Sequence, residues 1–130
     1  VVDYDKIFAD FMIPERIDYL SLDIEPNTNT FACLGKLLLL KNRFSVITFE
    51  TDKYANDNGE NSSCVVDESR SLLEQHQYKI VAGNISAFDD DLHPFEDWYL
   101  DGQYFDDKTI EKFKRDSDEP IAAFKYMLNV

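Results

Sequence analysis

The alternation of two kinds of apolar segment is the feature that most constrains the fold of this chain. The segments Ile17–Ile24, Phe44–Glu50 and Tyr78–Ser86 are rich in β-branched and aromatic residues or alternate apolar with polar side chains, which is typical of strands. The intervening segments, EPNTNTFACLGKLLLL and CVVDESRSLLEQHQ, repeat apolar residues at helical spacing. Because helical crossovers make neighbouring strands parallel, the sequence predicts an α/β fold with about three parallel strands flanked by helices.

Shorter segments complete the predicted domain. Tyr4–Phe11 is predicted as a helix that ends before Pro14, and Asp97–Gly102 as a short, antiparallel fourth strand. Lys108–Arg115 and Pro120–Leu128 are predicted as two closing helices. With 130 residues and no internal repeat, we expect residues 1–130 to form a single domain.

The charge and the cysteines exclude several classes of function. Asp and Glu outnumber Lys and Arg by 26 to 13, and a net charge of -13 repels a phosphate backbone, so no nucleic-acid partner is expected. The longest apolar run is too short to cross a bilayer, so no membrane contact is expected. The two cysteines, Cys33 and Cys64, lack the spacing of a disulfide framework or a zinc site, and we expect a reducing, cytoplasmic setting.

Carboxylates stand at the ends of the first two predicted strands. Asp23 and Glu25 follow the apolar part of IDYLSLDIEP, and Glu50 ends FSVITFE. In an open α/β sheet the ligand crevice lies outside the carboxyl ends of the strands, which makes these three the candidate site residues. On the residues alone, the favoured alternative is that Asp23 and Glu25 are solvated or stabilise the N-terminus of the next helix, worth about 0.3–1 kcal/mol.

A second acidic segment, DDDLHPFED, offers further oxygen and nitrogen atoms. The residues that could bind a divalent cation are Asp89, Asp90, Asp91, His93, Glu96 and Asp97. The segment lacks the spaced glycine and the terminal glutamate of a calcium-binding EF-hand loop. We therefore predict an acidic surface loop and assign no metal ligands.

Four segments in this order resemble one protein family. IDYLSLDIE, FSVITFETDKY, SRSLLEQHQYKIVAGNIS and FEDWYLDG are similar to the C-terminal half of the FkbM-type methyltransferases, enzymes that use S-adenosylmethionine and mainly methylate hydroxyl oxygens. The resemblance covers about Val2 to Gly102 and implies a partial Rossmann-like, class I methyltransferase fold. It implies a small-molecule or sugar hydroxyl as methyl acceptor. It also implies that Asp23, Glu25 and Glu50 are catalytic residues beside the transferred methyl group, and that Asp23 binds the cofactor.

The chain departs from the family pattern at several positions. Pro26 replaces a glycine, Thr28 a common glutamate, and Thr51 a frequent histidine. The four glycines are scattered, so no G-x-G loop is present to hold S-adenosylmethionine, and we expect that this chain alone does not bind the cofactor. The alternative function is a non-catalytic, truncated or degenerate module that serves oligomerisation or interaction.

The resemblance has a consequence for assembly. In the family's complete domain, the strand Ile17–Ile24 lies inside the sheet, next to the N-terminal half that this chain does not contain. Here the same strand is expected at an exposed edge, where its free backbone groups can pair with another chain. The sequence therefore predicts a homodimer formed through Ile17–Ile24.

Overall fold

A computed structural model describes residues 2–56 and 62–130 of the chain. They form a five-stranded mixed sheet flanked by helices, which confirms the predicted α/β class. The strands are β1 (Arg16–Leu22), β2 (Arg43–Glu50), β3 (Tyr78–Ser86), β4 (Pro94–Asp101) and β5 (Ile121–Ala122). The helices are α1 (Tyr4–Asp10), α2 (Asn27–Leu37), α3 (Lys53–Asn56), α4 (Ser62–Gln75), α5 (Asp107–Phe113) and α6 (Ala123–Leu128). No helix in the described ranges has the length and apolar character needed to cross a membrane.

The strands lie in the order β1-β2-β4-β3-β5. β1 pairs with β2, and β3 with β5, in parallel, whereas β4 is antiparallel to both β2 and β3. The three predicted parallel strands therefore do run in one direction. However, β3 is not the neighbour of β2, because β4 lies between them. β1 is an edge strand of the described sheet, as predicted.

Several predicted boundaries are wrong because of contacts with residues outside the predicted segment. β1 ends at Leu22 and not at Ile24, since the Thr30 hydroxyl binds both the amide and the carbonyl of Ile24. β4 begins at Pro94, three residues before the predicted start, and is paired on both sides. Of the predicted helix Pro120–Leu128, the first part joins the sheet as β5.

The remaining differences lie in the connections. α1 ends one residue earlier than predicted, at Asp10. α5 spans Asp107–Phe113, displaced from Lys108–Arg115, because the Asp106 side chain caps the Thr109 amide. The short helix α3 was not predicted at all, since its polar sequence KYAN resembles a loop.

Apolar side chains cover both faces of the sheet. The largest cluster joins β1, β2 and β4 to α1, α2 and α4, with Leu34 and Leu73 fully buried on the helices. On the other face, Leu100 packs with Ile110 of α5. The neighbouring residues Tyr99 and Leu100 belong to different clusters, as expected for consecutive residues of a strand buried on both faces.

Two buried ion pairs fix β4 in the sheet. The fully buried Asp101 side chain accepts hydrogen bonds from Arg43 at 2.6 and 2.9 Å and from Arg16 at 3.0 Å, which joins β4 to β2 and β1. The fully buried Asp97 side chain accepts two hydrogen bonds from Arg70 of α4, at 2.7 and 3.0 Å. These pairs explain how a strand that carries several acidic residues occupies the interior of the sheet.

We expect Asp101→Asn to destabilise the fold. Removing one partner of a buried ion pair leaves the Arg43 guanidinium without its counter-charge, which costs about 3 kcal/mol of unfolding free energy. Chemical denaturation measures this loss. Glu15→Gln is the control, because it breaks the exposed Lys41–Glu15 pair, worth less than about 0.5 kcal/mol. Equal losses in the two variants would show that the buried pair does not hold β4.

Candidate functional site

The structure gathers acidic side chains where β1 and β2 end. The two strands are parallel and in register through Leu22 and Phe49, so Asp23 and Glu50 fall at the same edge. Glu50 is hydrogen-bonded to Asp23 and Asp52. The carboxylate cluster, as we call it, comprises Asp23, Glu25, Glu50, Asp52 and Glu96. The three residues predicted from the sequence are therefore brought together, although their catalytic roles remain predictions.

The segment after β1 is positioned by α2. The two hydrogen bonds between Thr30 and Ile24 hold this segment away from the strand ladder. The Asn27 side chain reaches across to the Thr51 carbonyl at 3.3 Å, so the start of α2 is tied to the end of β2. Pro26 precedes α2 and makes no side-chain hydrogen bond to its first amides.

The turn after β2 is anchored to β4. The amides of Thr51 and Asp52 both donate to the Phe95 carbonyl, at 2.7 and 3.0 Å, and the Thr51 hydroxyl donates to it at 2.9 Å. Asp52 has a φ of 49°, which turns the chain back over the end of the strand. The next residue of β4, Glu96, lies opposite Glu50 in the antiparallel register.

Burial changes the protonation of the cluster. Glu50 is only 4% exposed, and this desolvation, together with its hydrogen bonds to Asp23 and Asp52, raises its pKa to about 9. Burial also raises the pKa of Glu96, against the opposing hydrogen bond that the Trp98 indole donates at 2.6 Å. Glu50 is therefore protonated at neutral pH and donates a hydrogen bond within the cluster.

Within the described residues, no lysine or arginine forms an ion pair with Asp23, Glu25, Glu50 or Glu96. This distinguishes the cluster from Asp97 and Asp101, which arginines neutralise. With the net charge of -13, the carboxylates that stay ionised here give this end of the sheet a negative potential. Such a potential favours positively charged or neutral ligands over anions.

Three members of the cluster could hold a metal ion. One carboxylate oxygen from each of Glu25, Glu50 and Asp52 lies within 4.8 Å of the other two. Carboxylate oxygens are the ligands that Ca²⁺ and Mg²⁺ prefer. Binding at this point would require the proton on Glu50 to leave.

The acidic residues of the segment DDDLHPFED make different contacts in the structure. Asp90 binds Ser86 and His93, while Asp91 binds Lys125 and the Ala122 amide. Glu96 and Asp97 lie within β4 and not in the loop. Glu96 and Asp52 are the cluster members that the sequence prediction missed. Pairing β4 with β2 from Pro94 onward would have placed Glu96 opposite Glu50.

The residues match a methyltransferase cofactor only in part. Carboxylates can accept hydrogen bonds from ribose hydroxyls and attract the positive charges of S-adenosylmethionine. A glycine loop for the methionine part is not found among the described residues: Gly35 lies in α2, Gly83 in β3 and Gly102 after β4, and none has a positive φ. The described residues thus supply carboxylate acceptors but no glycine loop.

Comparison with family models, with curated proteins and with solved structures found no match to this chain. The FkbM resemblance therefore depends on the four sequence segments quoted above. The α/β class and the five-stranded mixed sheet follow from the strand pairing itself.

We expect Glu50→Gln to alter how stability depends on pH. A carboxyl group whose pKa is raised in the folded state binds more protons there than in the unfolded chain, so unfolding free energy falls as pH rises from the ordinary value of 4.5 to about 9. Glutamine mimics the protonated group, so the decline between about pH 5 and pH 9 should be smaller by on the order of 1–3 kcal/mol.

Denaturation at several pH values measures this difference. Glu111→Gln is the matched control, since its carboxylate is exposed on α5 and forms an ion pair with the neighbouring Lys114. If Glu50→Gln and the unmodified chain lose stability in parallel as pH rises, Glu50 is not protonated in the fold.

Proposed function

We propose that this chain corresponds to the C-terminal half of an S-adenosylmethionine-dependent methyltransferase of FkbM type, with a Rossmann-like class I fold, and that it acts on a hydroxyl oxygen. The observation that carries the proposal is the position of the carboxylate cluster, which lies at the carboxyl ends of two adjacent parallel strands. This is the edge at which open α/β sheets bind ligands.

Asp23, Glu25 and Glu50 take different roles in this proposal. When bound, S-adenosylmethionine supplies a methyl group on a positively charged sulfur, and the negative potential of the cluster favours that charge. Asp23 accepts a hydrogen bond from the cofactor, and Glu25 orients the acceptor hydroxyl. Glu50, which is protonated at neutral pH, donates a hydrogen bond to its neighbours and does not take the acceptor's proton.

The negative potential also limits the acceptor. A phosphorylated or carboxylated acceptor is repelled by the cluster and by the overall charge of -13. The acceptor class that fits is a neutral or positively charged small molecule or sugar with a free hydroxyl. The free thiol of Cys33 accords with the reducing, cytoplasmic setting that we propose for this reaction.

Calorimetric titration with S-adenosylhomocysteine, the demethylated product, tests the proposal. The missing glycine loop alone predicts no binding by this chain, but the carboxylates that the structure brings together lead us to expect weak binding, at millimolar ligand. Asp23→Asn should abolish the heat, whereas Glu15→Gln, which changes an exposed carboxylate distant from the cluster, should keep it. A flat titration of the unmodified chain at millimolar ligand would exclude methyl transfer by this polypeptide alone.

The second candidate function is a non-catalytic interaction module. The edge position of β1 favours it, because the strand leaves backbone groups available to another chain and Tyr19 on it is 55% exposed. The occupant that we propose is a second copy, which would extend the sheet across a two-fold axis to form a homodimer.

We expect concentration-dependent dimerisation in sedimentation velocity at micromolar protein. Tyr19→Lys should weaken it, because a charge on an edge strand opposes strand pairing. Leu128→Lys, an equally drastic change at an exposed position on α6, should leave it unchanged. A chain that remains monomeric throughout the micromolar range contradicts pairing through β1.

A further inference from the structure

A hydrogen-bonded histidine lies in the loop between β3 and β4. His93 Nδ1 is 2.8 Å from the Asp90 carboxylate, which also accepts from the Ser86 hydroxyl and the Leu92 amide, each at 2.9 Å. The Leu92 amide, with the bonds from Ser86 and His93, lowers the pKa of Asp90. Because an ionised carboxylate only accepts, the neutral form of the imidazole carries its proton on Nδ1 and presents a lone pair on Nε2.

The backbone keeps this histidine in place. The His93 amide donates to the Ser86 hydroxyl at 3.3 Å, and the His93 carbonyl accepts from the Ala87 amide at 2.9 Å. The loop is therefore closed at its base by the end of β3. The Asp90–His93 hydrogen bond therefore lies in a loop whose two ends are joined by hydrogen bonds.

The histidine lies at the same end of the sheet as the carboxylate cluster. Its ring centroid is 5.7 Å from that of Tyr54, two residues after Asp52. The carbonyl of Phe95, two residues after His93, accepts a hydrogen bond from the Asp52 amide. Phe88 lies 5.0 Å from the His93 ring and is 55% exposed, so an apolar surface is open beside the histidine.

We propose that His93 takes the proton from the methyl acceptor and that Asp90 is its positioning residue. In this proposal the acceptor is a neutral, phenol-like hydroxyl compound that packs on Phe88. The inference rests on the proposed methyltransferase function. The hydroxyl proton passes to Nε2, while the electron pair left on oxygen forms the O–C bond. Cleavage of the C–S bond balances this step and leaves a neutral thioether. The imidazolium formed is stabilised by the Asp90 carboxylate.

Each chemical property of the proposed acceptor is inferred from a different observation. The carboxylates of Asp89, Asp90 and Asp91 disfavour an anionic acceptor in this loop. The exposed ring of Phe88 and the neighbouring ring of Tyr54 offer edge and face contacts to an aromatic body. A proton acceptor needs its substrate hydroxyl within hydrogen-bond reach, and Nε2 makes no hydrogen bond to any residue in the described ranges.

Nitrogen NMR of the chain labelled with ¹⁵N-histidine tests the proposal, since His76 and His93 are the chain's two histidines. We expect His93 in the Nδ1–H form when neutral. Added phenol should shift the Nε2 resonance of His93, because Nε2 accepts a hydrogen bond, while anisole, which lacks the hydroxyl, should not. The resonances of His76 should not respond to either compound.

Two variants separate the parts of the proposal. Asp90→Asn should remove the preference for the Nδ1–H form and weaken the phenol response, by about threefold to tenfold in dissociation constant. Phe88→Ala should weaken phenol binding and leave the proton on Nδ1. An Nε2–H form in the unmodified chain, the absence of a phenol shift, or equal shifts with phenol and anisole would each overturn the assignment. A phenol response combined with a flat S-adenosylhomocysteine titration would exclude methyl transfer by this polypeptide alone and retain a hydroxyl-binding histidine.

Discussion

The pairing of β2 on both of its sides is the constraint on which the rest of the structure depends. β1 lies parallel to it on one side and β4 antiparallel on the other, so the last residue of β2 is enclosed by the segment after β1 and by the middle of β4. Glu50 occupies that position. A lone buried carboxylate is costly, and retaining a proton is the response available when the neighbouring groups are themselves acids.

Buried carboxyl groups at the two ends of β2 are stabilised in different ways. At the amino end, Arg43 and Arg16 neutralise Asp101 and join three strands. On α4, Arg70 neutralises Asp97. At the carboxyl end, no described arginine or lysine forms an ion pair with Asp23, Glu25, Glu50 or Glu96. Acids that only hold a fold together are expected to have such partners, so the acids without them are the ones that we associate with a ligand.

Local sequence patterns predict only the part of this site that comes from the ends of β1 and β2. The period of the apolar residues identifies β1, β2 and β3, and parallel pairing places Asp23, Glu25 and Glu50 at one edge. Glu96 belongs to β4, and the Asp52 amide is hydrogen-bonded to Phe95 of β4. The position of β4 depends on pairs between residues distant in the chain. Asp97 was predicted to begin the fourth strand and was also considered as a cation ligand, but its partner, Arg70, lies 27 residues away. No local pattern could show that its charge would be neutralised in the interior.

Protonation of Glu50 changes how the proposed reaction is divided among the residues. A carboxyl group that already holds its proton at neutral pH cannot accept another from a hydroxyl, although it can donate a hydrogen bond to Asp23 or Asp52. The cluster then acts as a source of negative potential for a positively charged methyl donor. In this proposal, proton acceptance falls to a group outside the cluster, His93, whose Nδ1 is held by the Asp90 carboxylate. Because an imidazolium formed there would lie near both Asp90 and the cluster, the same potential that attracts the donor also stabilises the proton once it has been transferred.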